Sequence, residues 1–189
     1  MGMELGSSVA VGSISLGERG LVGSPYESHT SDQRAAFATC EELIHALFRI
    51  GATDVGHPER YAFFTDDVEL HIYDPMNSKG TFALIGKPEV IRWFEEQDAA
   101  RGDGFDGCYA RVHSCSNFIW RSISETEIRS YNYVFYYEFR ADNAPPLPSA
   151  VVDATHEFRL EDGVWKIARR HYWMVRVDKT RLHEGGRAS

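Results

Sequence analysis

The residues with the most chemical potential lie in Arg111-Val-His-Ser-Cys-Ser-Asn117, which opens the first of four consecutive strand patterns. Alternate side chains of a strand share a face, so this spacing puts His113, Cys115 and Asn117 on one side. An imidazole on an otherwise apolar face can move a proton near neutral pH, and an amide beside it can hold the ring or a carbonyl. The same spacing suits a packed core histidine bonded to Asn117. The residues alone leave both roles open. Cys115 reads as inert, because apolar burial raises a thiol pKa.

Other polar side chains are placed by the same parity argument. Val68, Leu70 and Ile72 share one strand face, which leaves His71 and Tyr73 on the other. Further on, Trp165, Ile167, Arg169, His171 and Trp173 share one parity. Trp165 and Ile167 read as core. Arg169 suits either an ion pair or the positioning of an anionic oxygen, and His171 and Trp173 suit either cavity lining or packing. His156 shares parity with Val152, Ala154 and Phe158 and points inward on that reading. Tyr131 and Tyr133 offer hydroxyl donors to a carbonyl or serve as aromatic core. Glu157 beside Arg159 reads as a surface ion pair. His71, His113, His156 and His171 show no metal-ligand spacing such as His-Glu-x-x-His, so no metal is expected.

These groups need elements to hold them. Ala35, Phe37, Ala38, Leu43, Ala46 and Leu47 recur at helical spacing, so a helix is expected over 32–50 with Gly51 as its stop. A short helix is expected from Pro58, a strand over 68–73, a second strand over 81–85, and a helix from Lys87 that fades at Gly102. Four strand patterns follow, at 109–121, 126–140, 149–160 and 164–177. Asp162-Gly163 is a tight-turn pair. Prolines at 145, 146 and 148 mark a longer connection and should stop the strands from extending. Helices first and a meander last give an α+β fold with a strongly curved sheet.

Bulk composition narrows the function classes. The chain has 189 residues, enough for one sizeable core, with 43% hydrophobic and 13% aromatic residues. Its formal charge is -8 with no basic run, which disfavours a nucleic-acid or anionic-membrane surface. No apolar run approaches the roughly 20 residues of a membrane span. Three cysteines without zinc-knuckle spacing fit reduced thiols in a cytoplasmic protein. Residues 1–30, rich in Gly and Ser, read as a tail, 31–178 as one domain, and 179–189 as a second tail.

Tyr61-Ala-Phe-Phe-Thr-Asp-Asp-Val68, Ile85-Gly-Lys-Pro-Glu-Val-Ile91, the His113 to Asn117 segment and Glu157 through Arg170 follow one another in an order that resembles the nuclear transport factor 2-like superfamily, especially its SnoaL-like branch. The resemblance covers residues 32–177 and implies a cone-shaped α+β fold: a curved, mixed or antiparallel sheet with N-terminal helices over its concave face. It also implies a dehydratase, isomerase or cyclase of the polyketide-cyclase type, working without a cofactor on a small hydrophobic metabolite bearing a carbonyl or hydroxyl. A homodimer or homotrimer is common in this fold. His113 is then the general base or acid. The relatives orient that histidine with an aspartate near the end of the first helix; here Ala52 or Thr53 occupies the expected place, and Asp54 is the nearest substitute. His71, Tyr73, Asn117, Tyr133, Arg169, His171 and Trp173 are the expected substrate contacts. A second resemblance, of Ser116 to Glu127 and Trp165 to Arg170, is to the β-subunit of aromatic-ring dioxygenases, and implies a non-catalytic, oligomer-forming subunit.

Overall fold

A computed structural model describes residues 29–53, 58–75, 80–101, 108–140 and 145–176. The chain divides into two units, Met1–Ser31 and Asp32–Ser189, and all of the sheet lies in the second. Asp54 and the expected tails at 1–28 and 177–189 lie outside the described residues.

The first helix, α1 (Ser31–Thr53), buries Phe37, Cys40, Ile44, Leu47 and Phe48. That three-and-four spacing makes one apolar stripe. The helix runs through Gly51 rather than stopping there, since a lone glycine costs a helix only about 1 kcal/mol against alanine. A 3-10 helix (Pro58–Phe63) leads into β1 (Phe64–Tyr73), which begins earlier than its alternation indicated, and then β2 (Thr81–Ile85). Gly86, at φ +87°, turns the chain into α2 (Lys87–Arg101). The Glu89 carboxylate accepts the Ile85 amide at 2.9 Å across this junction. From α2, Val90, Trp93 and Phe94 pack into or against the core.

The remaining strands are β3 (Cys108–Ser122), β4 (Glu127–Arg140), β5 (Leu147–Glu161) and β6 (Val164–Arg176). Asp162 and Gly163 both take positive φ in the β5–β6 turn, as a two-residue hairpin of this type requires. Pro148 does not stop β5. It pairs with Tyr137 at a register shift, where a bulge accommodates the missing N–H.

The sheet is mixed and open, in the order β2-β1-β6-β5-β4-β3, with only the β1–β6 pair parallel. Its inner face joins the α1 stripe through Val68, Leu70, Ile72, Val134, Val152, Ala154, Phe158 and Ile167. Two irregularities decide which side chains reach that face. In β3, Ser116 pairs with Tyr133 and Ile119 with Tyr131, so Asn117 and Phe118 together oppose Asn132. In β6, Ile167 pairs with Phe158 and Arg169 with Glu157, which leaves Ala168 as an extra residue. Each bulge reverses the alternation beyond it.

Candidate active site

Between the inner face and the helices lies a cavity of about 160 Å³. Its walls are mostly apolar: Leu47 and Phe48 from α1, Leu70 and Ile72 from β1, Phe82 from β2, Trp93 and Phe94 from α2, and Tyr172 and Met174 from β6. A few polar groups interrupt them, namely His113, Tyr136, Ser149, Gln97, Asp74 and three arginines, Arg60, Arg170 and Arg176. A small set of polar groups in an apolar concavity is the usual make-up of a small-molecule site.

His113 faces this cavity as the spacing predicts. Its cross-strand partner is Tyr136, with ring centroids 4.2 Å apart, and the Phe48 ring approaches edge-on at 5.2 Å. Phe48 also touches the Arg170 guanidinium, whose central carbon lies 5.4 Å from that ring and 4.4 Å from the Tyr172 ring. The imidazole and the guanidinium therefore both pack against one aromatic side chain. Arg170 is 2% exposed. Burial lowers its pKa to about 10, so it remains a cation at neutral pH. Among the described residues no carboxylate pairs with it, and its Nε atom has no hydrogen-bond partner.

Among the described residues the one carboxylate in the lining is Asp74, itself 1% exposed. It accepts two hydrogen bonds from Arg176 Nε, at 3.1 and 2.9 Å, and another from Nη2. Arg60, also in the lining, is 1% exposed, lies over the Phe94 ring at 4.8 Å and donates to the Tyr61 hydroxyl at 2.9 Å. Burial pushes the Cys115 thiol up to about 11, which keeps it protonated. His156 points inward but does not line the cavity. It is fully buried and 3.4 Å from the Tyr172 hydroxyl, and burial, helped by Arg170, holds it neutral.

The bulges correct several expectations. Asn117 does not share a face with His113: it takes φ +57° at the β3 bulge and its side chain is exposed, while Phe118 and Trp120 turn inward instead. Past the β6 bulge, Arg169, His171 and Trp173 face outward, and Arg170, Tyr172, Met174 and Arg176 take the inner positions. Tyr133 is 43% exposed on the outer face; Tyr136 is the tyrosine beside His113. His71 and Tyr73 lie opposite Leu70 and Ile72, as their alternation indicates, and so away from the cavity. Asp54 lies outside the described residues.

The structure brings the outward residues together elsewhere. His71, Tyr73, His171 and Trp173 line a groove of about 430 Å³ with Thr81 and Ala83. The His71 and His171 rings stack at 4.5 Å, and His171 stacks on Trp173 at 5.9 Å. Beside them Arg169 bonds Glu69 at 2.9 and 3.0 Å and Glu157 at 3.0 Å, and Arg129 also pairs with Glu157. His71 Nε2 lies 3.0 Å from Glu69. The Arg169 hydrogen bonds, then that of His71, lower the Glu69 carboxyl from an ordinary 4.5 to about 2. A carboxyl lowered in the folded state stabilises above its ordinary value and loses that contribution as pH falls through the folded value. Arg169→Ala is therefore expected to lower stability by less than about 1 kcal/mol. Its melting temperature should converge on that of the parent as pH drops from 4.5 to about 2. Thermal melts across that range check this. A gap that persists at the acid end would argue against the Glu69 assignment.

Two signals in the sequence bear on the residues that parity missed. Arg169 and Arg170 are adjacent on a strand, so one of them must face inward whatever the register. Asp74 stands at the end of an alternating strand that fills the core, one residue beyond the pattern.

Among the described residues, no group of three or more His, Cys, Asp or Glu is placed to hold a metal ion, and no helix is long and apolar enough to cross a membrane. No protein-family model matches the chain, and no curated protein matches it in sequence. Solved structures do. Aln2 from a Streptomyces species is 14% identical with a TM-score of 0.60, over 85% of this chain and 100% of that one. A scytalone dehydratase candidate from Novosphingobium aromaticivorans is 20% identical with a TM-score of 0.56, over 78% and 89%. The hexachlorocyclohexane dehydrochlorinase LinA-type3 from Novosphingobium barchaimii is 15% identical with a TM-score of 0.57, over 78% and 94%. With a protein of cystatin-like fold from Nostoc punctiforme also among the matches, the chain has the nuclear transport factor 2-like, cystatin-like α+β fold.

Proposed function

We propose that this cavity performs cofactor-independent acid/base chemistry, an elimination, isomerisation or cyclisation, on a small, largely apolar molecule bearing a carbonyl or hydroxyl. His113 moves the proton. Arg170, with the hydroxyl of Tyr136, stabilises the oxygen on which negative charge develops. The observation that carries this reading is the placement of His113 and Arg170 against the same Phe48 ring in the wall of one apolar cavity. A fixed cation in a water-poor site stabilises charge more strongly than it would in water. The fold shared with a scytalone dehydratase candidate and a hexachlorocyclohexane dehydrochlorinase agrees with a lyase-type activity.

The test uses a panel of β-hydroxy ketones, cyclic ketones and chlorinated cycloalkanes incubated with the protein in D2O. Mass spectrometry then reads loss of water or chloride, or gain of deuterium. Activity that disappears in His113→Gln supports the proposal, and activity that survives unchanged removes His113 as the base. The outer groove favours a second reading, a subunit whose stacked His71, His171 and Trp173 contact another copy in a homodimer or homotrimer. An absence of turnover across the panel would favour it.

A further inference from the structure

The charge of the cavity runs against that of the chain. The protein carries a formal net charge of -8, yet among the described residues three arginines and a single aspartate line its interior pocket. Asp74 is engaged by the Nε–Nη2 edge of Arg176. Arg170 is the sharpest case. It is 2% exposed, stacked between Phe48 and Tyr172, and among the described residues it meets no carboxylate. Its Nε atom is buried with no acceptor. Cys115, near enough to interact with it, stays a neutral thiol.

An isolated buried charge is among the most costly arrangements in a protein, and folds tolerate it where an ion or ligand of opposite sign completes it. The cation–π contacts to Phe48 and Tyr172 recover part of that cost without using the N–H donors. A guanidinium is also the side chain best shaped for a planar two-oxygen anion. The surrounding walls, Leu47, Leu70, Phe94 and Met174 among them, offer nothing to a hydrated inorganic ion and much to a hydrocarbon body.

We infer that the natural ligand of this cavity is an organic carboxylate, a compact aromatic or alicyclic body with one ionised carboxyl group, and that Arg170 holds the carboxyl. This deepens the acid/base reading and rests on it for the reaction, though not for the binding. Arg170 has five N–H donors. A carboxyl takes two of them and leaves others for a neighbouring carbonyl oxygen when His113 removes a proton from the adjoining carbon. In that step the C–H bond breaks, the proton passes to the imidazole, and the electron pair moves onto the carbonyl oxygen as an enolate. The substrate class thereby narrows from any small carbonyl compound to keto or hydroxy acids with an apolar frame.

The experiment is isothermal titration of the full chain with benzoate, its neutral isostere benzamide, and inorganic phosphate. Benzoate is expected to bind at least about tenfold more tightly than benzamide, a difference of about 1.4 kcal/mol, and phosphate more weakly than benzoate. In Arg170→Gln the benzoate preference should vanish while benzamide binding stays. Arg170→Lys keeps the charge without the planar fork and should show an intermediate preference, which guards against a glutamine variant that fails to fold. Equal binding of benzoate and benzamide to the parent protein would overturn the inference, as would a preference that persists in Arg170→Gln. Phosphate binding as tight as benzoate would also overturn it, by marking a simple anion site. His113→Gln separates the two readings: intact benzoate preference without His113-dependent proton exchange removes the acid/base proposal alone. Exchange on neutral ketones with no benzoate preference removes the carboxylate inference alone.

Discussion

Arg170→Met is expected to lower kcat/KM by about 10²–10³-fold while leaving the protein at least as stable as its parent. Most buried substitutions that abolish activity also destabilise, so the paired outcome is distinctive. Its physical basis is the fully buried guanidinium, which meets two aromatic rings and no carboxylate among the described residues. Methionine fills much of the same volume along an unbranched stem and carries no charge to desolvate. The loss is two cation–π contacts, worth about 0.5–2 kcal/mol each. The gain is the removal of a charge whose burial costs several kcal/mol. A net gain on the order of 1 kcal/mol would raise the melting temperature by about 2–4 °C at this chain length. Calorimetry beside a turnover assay reads both quantities. A variant that is inactive and clearly less stable would mean that Arg170 has a structural anion partner, and a variant of full activity would remove it from the chemistry.

His113→Gln is expected to cost about 10²–10⁴-fold in kcat, with a much smaller change in KM. Glutamine retains hydrogen-bonding capacity and approximate size but cannot accept and release a proton. The cavity wall should survive, because Phe48 and Tyr136 pack on the ring faces and edges rather than depending on its charge. Binding of an unreactive ligand should be unchanged, whereas deuterium exchange from solvent should fall to background. Restoration of exchange by added imidazole would identify the missing group as a base. A purely structural role for His113 would show the reverse, weaker binding and lower melting temperature with the exchange rate per bound molecule preserved.

Much of the fold was legible because its signals are local. The α1 stripe, the alternation of β1, the Asp162-Gly163 turn and the four long strand patterns each carry their information within a few residues. His113 was legible for the same reason. Its strand keeps an unbroken register with β4 from Ala110 to Ser116. The errors begin beyond two points where it fails. Asn117 and Ala168 carry no strong composition signal for a bulge, yet each moves the residues beyond it to the other face. Strict alternation from Trp165 and Ile167 places Arg169, His171 and Trp173 inward, whereas the extra residue gives those places to Arg170, Tyr172 and Arg176. Tyr133 and Tyr136 illustrate a different gap. Which tyrosine of an aromatic run meets His113 depends on pairing between strands, and no single strand encodes its register with a neighbour.

The extra residue at Ala168 also shapes how variation along β6 would be read. Along a regular strand, tolerance to substitution oscillates with a fixed phase. Here the oscillation slips by one position midway: Trp165 and Ile167 fall on the constrained beat before the bulge, and Arg170, Tyr172 and Met174 fall on it afterwards. A saturation scan of this strand would yield two combs offset from each other. Removing Ala168 would bring them into one rhythm without changing which arginine faces inward, and would isolate the bend of the strand as the remaining contribution of that residue.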